Sequence, residues 1–423
     1  MTDQQAIEYI HSRLRFGICP GLERIAKLEA AVGNPQDSLP IIHLAGTNGK
    51  GSTASMLASI LKEAGFKTGL FTSPYVTDFC ERISINGEMI PQQALASCVE
   101  RLAPIVSQME AAGEVITEFE LITVLALLWY REEGCNALVL ETGLGGRFDA
   151  TNTVKKPLLS IITKIAYDHM DILGDTLQKI TFEKCGIIKK GVNVVSYPAQ
   201  AEEALAVIME RTAQEGGKLI IGNTNAATVT AESIFGTDMQ YGGLKVRIPL
   251  AGRHQASNAI TAIEAAKALR TQGMAISDAD IENGIAKTVF AARQEVLSKS
   301  PLIILDGAHN PDGAETLAYS IKNYLKGRRV ICIMGMLEGK NAEEALNILA
   351  PLFDKLYAVS LDNPRAMQVH KFASLARKHC REVVELENSK EAVTEALSEL
   401  NGTTALVCCG SLYLAGELRP LLR

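Results

Sequence analysis

Apolar runs of strand length alternate with segments of helical period along most of this chain. The first six runs are LPIIHLAG, KTGLFTS, NALVLETG, LLSIITKIA, VNVVSY and KLIIG. The helices between them are predicted to begin near Lys50, Pro91, Glu118, Thr176 and Gln200. Such alternation is typical of βα units with parallel strands. One predicted helix, TLQKITFEKCGIIKKG, carries Lys189 and Lys190 in its last turn and ends before Gly191.

The pattern changes between Ala226 and Leu250. Alternating residues flank a Gly-Gly pair in DMQYGGLKVRIPL, which predicts a hairpin in a small antiparallel insertion. A second series of strand-length runs follows, namely LIILD, RVICIMG, KLYAVSL, EVVELE and TALVCCG. We therefore predict an α/β protein of two domains, residues 1–295 and 296–423, which join near Phe290–Pro301.

Composition excludes several classes of protein. The 423 residues are 47% hydrophobic and 21% charged, as in globular α/β proteins, and the net charge of −6 is not concentrated in any one block. MTDQQAIEYIHSR lacks a signal pattern, and LITVLALLWY is too short to span a bilayer. The nine cysteines form no C-x-x-C pair, which favours reduced thiols in the core. We expect a cytoplasmic monomer with neither a nucleic-acid nor a membrane partner.

The segment HLAGTNGKGSTASML, residues 43–57, has the order strand, glycine-rich turn, helix start. Glycines let the backbone approach an anion, and Lys50 adds a point charge for phosphate. Ser52 or Thr53 can offer a hydroxyl to Mg²⁺. Leu44 stands where the general phosphate-loop motif has its first glycine, and Gly51 follows the lysine. A polar helix cap would leave the lysine and three glycines unexplained, so we predict a nucleotide-phosphate loop.

Polar residues also follow other predicted strands, at the edge where ligands gather in open α/β sheets. Glu141 follows NALVLE and is placed to hold Mg²⁺ directly or through water, or else to cap a loop. His169 follows LLSIITKIA beside Asp168. A lone histidine is by default structural. Asp306 follows LIILD and by itself resembles a turn or N-cap residue.

Residues 46–52, GTNGKGS, resemble the ATP loop of folylpolyglutamate and dihydrofolate synthases, which are members of the Mur ligase superfamily. The resemblance runs nearly end to end. Its further segments, in chain order, are GICPGLERIAKLEAAVGNPQ before the loop and FTSPYVTDFCERISING, TEFELITVLA, ETGLGGRFDATN, DHMDILGDT, EKCGIIKKG, HQASNA, DGAHNPDG and GSLYLAGELRPLL after it. This set in this order is specific to that family.

The resemblance implies an N-terminal P-loop-type domain, a C-terminal Rossmann-like domain and a full set of site residues. The ATP contacts would be Gly46, Thr47, Asn48, Gly49, Lys50, Gly51, Ser52, Asn258, Arg293, Asp306 and His309. Two Mg²⁺ ions would be held by Ser52, Ser73, Glu141, His169 and Lys184, with Lys184 carbamylated. The catalytic group would be Lys50, Glu141, His169 and Lys184.

The resemblance also suggests a folate site and one departure from the family. Folate would contact Pro74, Tyr75, Arg82, Phe119 and Glu120. The alternative for the last two is a packing residue and a carboxylate that complements a helix dipole. The family usually has Pro-Gly before its hinge arginine. This chain has Ala291-Ala292 there, which bears on the hinge backbone and on the reach of the arginine.

The implied reaction is ATP-dependent ligation of L-glutamate to a reduced folate or to dihydropteroate, through an acyl phosphate. Two alternatives stay open. A peptidoglycan-precursor ligase of the Mur type uses the same chemistry, although its ATP loop usually has Ser or Thr directly after the lysine. A non-ligating ATP-dependent switch would turn over ATP without an acceptor. The sequence also leaves open which glutamate is added and whether K⁺ is required.

Overall fold

The computed structural model describes residues 1–17, 19–339 and 341–423. Ile18, in the quoted segment GICPGLERIAKLEAAVGNPQ, and Lys340 lie outside them. Eight strands form the N-terminal sheet: β1 (Ile41–Ala45), β2 (Thr68–Phe71), β3 (Ile83–Ile85), β4 (Glu88–Met89), β5 (Ala137–Glu141), β6 (Leu159–Ile162), β7 (Val194–Ser196) and β8 (Leu219–Ile221). Their order is β4-β3-β2-β5-β1-β6-β7-β8; β3 pairs antiparallel with both β2 and β4, and the other pairs are parallel. The six predicted strands and the mostly parallel sheet are confirmed.

Ten α-helices belong to the described part of this region. They are α1 (Asp3–His11), α2 (Glu23–Ala31), α3 (Lys50–Glu63), α4 (Gln92–Ala111), α5 (Glu118–Glu132), α6 (Met170–Leu173), α7 (Leu177–Lys184), α8 (Glu202–Gln214), α9 (His254–Thr271) and α10 (Asp278–Ala286). Because side chains alternate across a strand, Leu138 and Leu140 pack with α1, α4 and α5, whereas Ala137 and Val139 pack with α3, α9 and α10. Both faces of the sheet are therefore covered, as a parallel sheet requires.

The helix predicted to continue through Lys190 ends earlier. α7 stops at Lys184, and Cys185–Ile187 form a 3₁₀ turn. At Gly186 a Cβ atom would lie only 2.3 Å from the Cα of Arg147, and Ile187 and Ile188 are buried. Tertiary packing of this turn therefore overrides the charge pattern that favoured a longer helix.

The predicted insertion is a three-stranded antiparallel sheet of β9 (Ala227–Ser233), β10 (Gly236–Tyr241) and β11 (Leu244–Ile248). Gly242 and Gly243 form the tight turn between β10 and β11 with φ of 58° and 88°, a backbone that glycine adopts without strain. The hairpin prediction is correct.

The C-terminal sheet contains β12 (Glu295–Lys299), β13 (Leu302–Leu305), β14 (Arg329–Met334), β15 (Lys355–Val359), β16 (Val383–Leu386) and β17 (Thr404–Cys409). Its order is β12-β13-β17-β14-β15-β16, and all pairs are parallel except β12 with β13. The helices here are α11 (Pro311–Tyr324), α12 (Asn341–Leu349), α13 (Val369–Ala376), α14 (Ser389–Ser398) and α15 (Leu412–Leu418). The predicted second α/β unit is confirmed, whereas β12 was not predicted.

Two further findings concern the composition. All nine cysteines are free, and every one except Cys19 is buried. Among the described helices, none has the length and apolar character needed to cross a bilayer.

Candidate active site

The glycine-rich loop joins β1 to α3, as predicted. Gly49 is the N-cap of α3 with φ of 83°, and a Cβ there would lie 2.5 Å from Oδ1 of Asn258. A Cβ on Gly51 would lie 2.3 Å from the ring of Phe290. Only glycine fits these two positions without displacing a neighbour. The backbone of the loop is therefore packed tightly against Asn258 and Phe290.

The donors of this loop point in two directions. The N–H groups of Thr47 and Asn48 donate to the carbonyl of Lys164, at 2.9 and 3.1 Å. The first N–H groups of α3 have no acceptor within the helix and are directed beyond its N-terminus. Nζ of Lys50 lies over the loop, 3.1 Å from the carbonyl oxygen of Gly46. An ammonium beside a helix N-terminus is suited to a phosphate group.

Helix α9 supports the loop from the side. The side-chain amide of Gln255 donates to Oγ of Ser52 at 3.3 Å, and the amide of Asn258 donates to Gln255 at 3.0 Å. All three side chains are buried. Asn258 is thus brought next to the loop, as the family resemblance implied.

A carboxylate and a hydroxyl residue meet at the ends of two adjacent strands. Glu141 ends β5 and Ser73 follows β2, and the N–H of Ser73 donates to Oε2 of Glu141 at 3.2 Å. Burial raises the pKa of Glu141 to about 7, although Lys50 opposes the rise. A bound divalent cation would stabilise the ionised carboxylate, and carboxylate and hydroxyl oxygens are ligands that Mg²⁺ accepts. These residues fit the predicted metal.

Lys184 contacts the glycine-rich loop at Gly46. Its side chain is buried, and Nζ donates to the carbonyl of Gly46 at 2.7 Å. Burial, helped by Lys50, lowers the pKa of Lys184 to about 7, while Asp168 and Asp149 oppose the shift. The environment of this amine therefore favours its uncharged form.

His169 follows β6 in a left-handed backbone conformation, with φ of 48°. Its N–H donates to Oδ1 of Asp168 at 2.9 Å, and its ring is exposed at the cleft. Within the described parts of the chain, no three His, Cys, Asp or Glu side chains converge on one point. A metal here would thus complete its coordination with serine hydroxyls, a modified lysine or nucleotide oxygens.

The C-terminal domain supplies the opposite wall. Asp306 accepts hydrogen bonds from the N–H groups of Gln294, at 2.9 Å, and Ala308, at 2.7 Å. Asp306 therefore acts as a turn residue, as the sequence alone predicted. It also lines the cleft. Arg293 lies over the ring of Phe290, with 5.2 Å between the guanidinium carbon and the ring centroid.

The Ala291-Ala292 departure has a visible consequence. Ala292 has φ of 51°, in the left-handed region where glycine is favoured, and it is buried. Its carbonyl accepts from the N–H of Gly307 at 2.9 Å. The hinge thus keeps a glycine-like backbone with an alanine, and Arg293 still reaches the cleft.

One cavity of about 230 Å³ lies between the domains. The predicted residues that line it are Thr47, Asn48, Gly49, Lys50, Gly51, Ser52, Ser73, Pro74, Glu141, His169, Asn258, Arg293, Asp306 and His309. Gly46 and Lys184 lie behind this lining, joined by their hydrogen bond. Sequence reasoning missed Lys164, Tyr197, His254, Asp312 and Thr316, which also line the cavity. His254 and Asp312 lie in the quoted segments HQASNA and DGAHNPDG, but neither was assigned a role there, and no motif marked Lys164, Tyr197 or Thr316.

Of the predicted folate residues, Pro74 lines this cavity, whereas Tyr75, Arg82, Phe119 and Glu120 are not part of the lining. The guanidinium of Arg82 lies 5.2 Å from the ring centre of Tyr75 and 5.4 Å from that of Phe79. Its Nη2 is 3.7 Å from a carboxylate oxygen of Glu118, and its buried Nε has no hydrogen-bond partner among the described residues. An aromatic pair with a partly satisfied guanidinium suits a flat polar ligand.

At the start of α5, Phe119 and Glu120 have structural contacts. The ring of Phe119 packs 5.9 Å from that of Phe71. Glu120 is buried, accepts the N–H of Thr117 at 2.8 Å in a capping box, and pairs with Arg24 at 3.0 Å. These contacts match the packing and capping alternative. Their assignment to folate stays a prediction.

Known families and structures match this chain over most of its length. The Mur ligase middle domain matches residues 44–266, and the Mur ligase glutamate ligase domain matches residues 292–412. A Bacillus subtilis protein named dihydrofolate synthase/folylpolyglutamate synthase is 36% identical over 99% of both chains. Mycobacterium tuberculosis folylpolyglutamate synthase, solved with ADP and AMPPCP, superposes with a TM-score of 0.89, 29% identity and 99% coverage of both chains.

A structure of E. coli FolC in complex with DHPP and ADP gives a TM-score of 0.86 at 28% identity, covering 100% of this chain and 98% of that one. Sequence and fold therefore agree over the whole of the described chain. The predicted fold and ligase class are confirmed. The chain belongs to the Mur ligase family, in the branch of the folylpolyglutamate and dihydrofolate synthases, and it is an ATP-dependent ligase.

Proposed function

We propose that this enzyme joins L-glutamate to a carboxylate of a reduced folate, and that it also accepts dihydropteroate. The observation that carries the proposal is the interdomain cavity, whose lining includes the phosphate loop and Glu141 from one domain and Asp306 and His309 from the other. The relatives that match over almost the full chain bear folate-ligase names, which favours this substrate over a peptidoglycan precursor.

The reaction proceeds in two steps, phosphoryl transfer and amide formation. A carboxylate oxygen of the folate attacks the γ-phosphorus of ATP, the bond to the β-phosphate oxygen breaks, and ADP leaves. The amine of glutamate then attacks the acyl carbon, phosphate leaves, and the amine loses a proton to form the amide. Lys50 and the N-terminus of α3 face the transferring group, where they stabilise its developing charge. The C-terminal wall shields the acyl phosphate from water.

We assign Ser52, Ser73 and Glu141 to one Mg²⁺ ion and His169 with carbamylated Lys184 to a second. When bound, the ions would neutralise phosphate charge. Support comes from the buried carboxylate of Glu141 and from the near-neutral pKa of Lys184, about 7. A neutral amine is the form that adds to CO₂. The N–C bond forms, one proton is released, and an anionic oxygen ligand replaces a cation.

Every predicted nucleotide and metal residue lies in or directly behind one cleft of one chain. This arrangement supports the predicted monomer, because no second copy is needed to complete the site. The cytoplasmic location stays a prediction from the sequence.

The test is phosphate release by the purified protein with ATP, Mg²⁺ and glutamate. One reaction contains tetrahydrofolate, a second contains dihydropteroate, and a third contains no pterin, with products identified by mass. We expect release only with an acceptor, and a product heavier by one glutamyl residue. Equal release without acceptor or glutamate would contradict the proposal and favour the ATP-dependent switch. Turnover with tetrahydrofolate alone would exclude the second activity.

A further inference from the structure

Asp312 connects the C-terminal domain to the phosphate loop. It lies in the first turn of α11, where Asn310 is the N-cap. Its two carboxylate oxygens have different partners in the N-terminal domain: Oδ2 accepts from the side-chain amide of Asn48 at 2.6 Å, and Oδ1 pairs with Nζ of Lys164. One side chain of the second domain thus holds two groups of the first.

These contacts close a ring. The carbonyl of Lys164 accepts the N–H of Asn48 at 3.1 Å, and the side chains of both residues meet at Asp312. The ring therefore links the phosphate loop, the segment after β6 and the first turn of α11. Both the main chain and the side chain of Asn48 are restrained by it. Such support fixes the geometry of a binding loop.

The ring is a weak brace for the fold as a whole. The side chains of Asp312 and Lys164 are 26% and 34% exposed, and partly exposed ion pairs contribute about 1 kcal/mol or less. The position of the ring matters more than its strength. All three members line the cavity assigned to ATP, so a change in the ring should affect nucleotide affinity more than the stability of the fold.

A second contact of α11 allows a comparison. The hydroxyl of Tyr324, at the far end of the helix, contacts the carboxylate of Glu232 on β9. Neither residue is part of the cavity lining. If Asp312 served only to tether the domains, losing the Tyr324 contact would have the same effect on the nucleotide.

We propose that Asp312 is a positioning residue for ATP, which sets the phosphate loop through Asn48 and Lys164 when the C-terminal domain is docked. The inference deepens the proposed function and relies on it only for the identity of the nucleotide. It makes nucleotide affinity depend on the position of the second domain.

The sign of one substitution separates positioning from simple electrostatics. Removing a negative charge near a triphosphate reduces Coulomb repulsion, which by itself should tighten binding. Positioning predicts the opposite for Asp312→Asn. We expect the Kd of the β,γ-methylene analogue of ATP to rise about fivefold or more, and the KM for ATP to rise with it, because a pre-set loop is lost. The KM for the folate should stay within about twofold.

Matched variants complete the experiment. Glu315→Gln removes the same charge from an exposed position of the same helix, and Tyr324→Phe removes the other contact. Both should leave the Kd within about twofold. In a cycle with Lys164→Met, the double variant should bind more tightly than the two single effects predict, because the ring is already open. Asp312→Glu keeps both acceptor oxygens and should recover part of the affinity.

An unchanged or lowered Kd in Asp312→Asn would overturn the inference, as would an equal loss in Tyr324→Phe. Thermal unfolding of each variant identifies any that misfold. If Asp312→Asn is among them, the Kd of Asp312→Glu compared with that of the wild type decides whether the inference holds. Binding of the analogue requires no turnover. If the wild-type protein failed to ligate glutamate, the proposed function would fail while the binding result would still stand.

Discussion

Two buried ionisable residues at the active site have pKa values moved toward the same pH from opposite sides. Burial raises the pKa of Glu141 and lowers that of Lys184, each to about 7. Desolvation disfavours whichever form is charged, so it moves acids up and bases down. Both groups can therefore be neutral in the free enzyme, and their charged or modified forms become favourable when cations and phosphates are present.

Lys184 gives the first prediction. Lys184→Ala should lower ligation by about 100-fold or more, because an oxygen ligand for the second cation is lost. Acetate at high concentration should restore part of the rate by supplying a carboxylate. In the wild type, ¹³C-bicarbonate should give a carbamate signal that grows as pH rises through about 7, the pKa of the amine. The readouts are phosphate release and ¹³C NMR.

The exposed Lys190, which follows the same helix, provides the control. Lys190→Ala should keep its activity and show no response to acetate. Full activity in Lys184→Ala, or a wild type without a carbamate signal, would contradict the assignment.

Glu29 on α2 gives a prediction about stability. Its Oε1 accepts from the hydroxyl of Thr153 at 2.7 Å, while Oε2 is buried with no partner among the described residues. Burial raises its pKa from 4.5 to about 7. Between these values the folded state holds a proton that the unfolded state has lost. The free energy of unfolding therefore falls as pH rises through this window.

Glu29→Gln should remove that dependence. The variant should be more stable than the wild type at pH 8 by about 1 to 3 kcal/mol and similar to it at pH 4, since one pKa unit corresponds to about 1.4 kcal/mol. Urea unfolding at both pH values measures the difference. Glu23→Gln, at an exposed position of the same helix, should leave the wild-type difference between the two pH values unchanged. A wild-type slope in Glu29→Gln would contradict the prediction.

At the scale of elements, apolar periodicity found the long strands and missed the edges. β1 and β5 are buried on every residue and give continuous apolar runs. β3 and β4 have only 3 and 2 residues, and β12 is only half-buried and lies in the segment where the two domains were predicted to join. The end of α7 was also mispredicted, because the packing of Gly186 against Arg147 leaves no local signal.

The site could be predicted to the extent that its residues follow strands or carry a motif. Lys50 and Glu141 meet those conditions, and the roles of Ser73 and Lys184 required the family resemblance. Asp312 lies in the quoted segment DGAHNPDG, but the segment did not indicate its role. A carboxylate in the first turn of a helix is ordinarily explained by the helix dipole alone, and its partners lie 148 and 264 residues away in sequence.

The hinge gives a prediction at this scale. A β-branched residue at the left-handed, buried position 292 should be poorly tolerated. Ala292→Val should lower the free energy of unfolding by about 2 to 3 kcal/mol, from backbone strain and overpacking together. Ala291→Val, one residue earlier and half-buried, should cost less than about 1 kcal/mol. Chemical denaturation measures both, and equal losses would show that the backbone at 292 is not the cause.

At the scale of the molecule, the cavity exists because the C-terminal domain is held at several points. The insertion places Ile234 in the core of the C-terminal domain, with Ala251 beside it. Asp312 holds the phosphate loop. On the opposite side, α15 lies against the segment that follows Pro74, where a Cβ on Gly416 would be 2.0 Å from the carbonyl oxygen of Val76. The phosphate loop and the segment after Pro74 thus have separate contacts with one domain.

Gly416 therefore provides a test of the acceptor side. Gly416→Ala should push α15 away from Val76 and its neighbours Pro74 and Tyr75, which are predicted to bind folate. We expect kcat/KM for the folate to fall about tenfold or more, while the Kd of the β,γ-methylene analogue of ATP changes less than about threefold. Gly402→Ala is the control, because a Cβ at Gly402 meets no atom within 4 Å. Parallel losses for folate and nucleotide in Gly416→Ala would mean that the domain moves as one body, and the separation of the two sides would then be wrong.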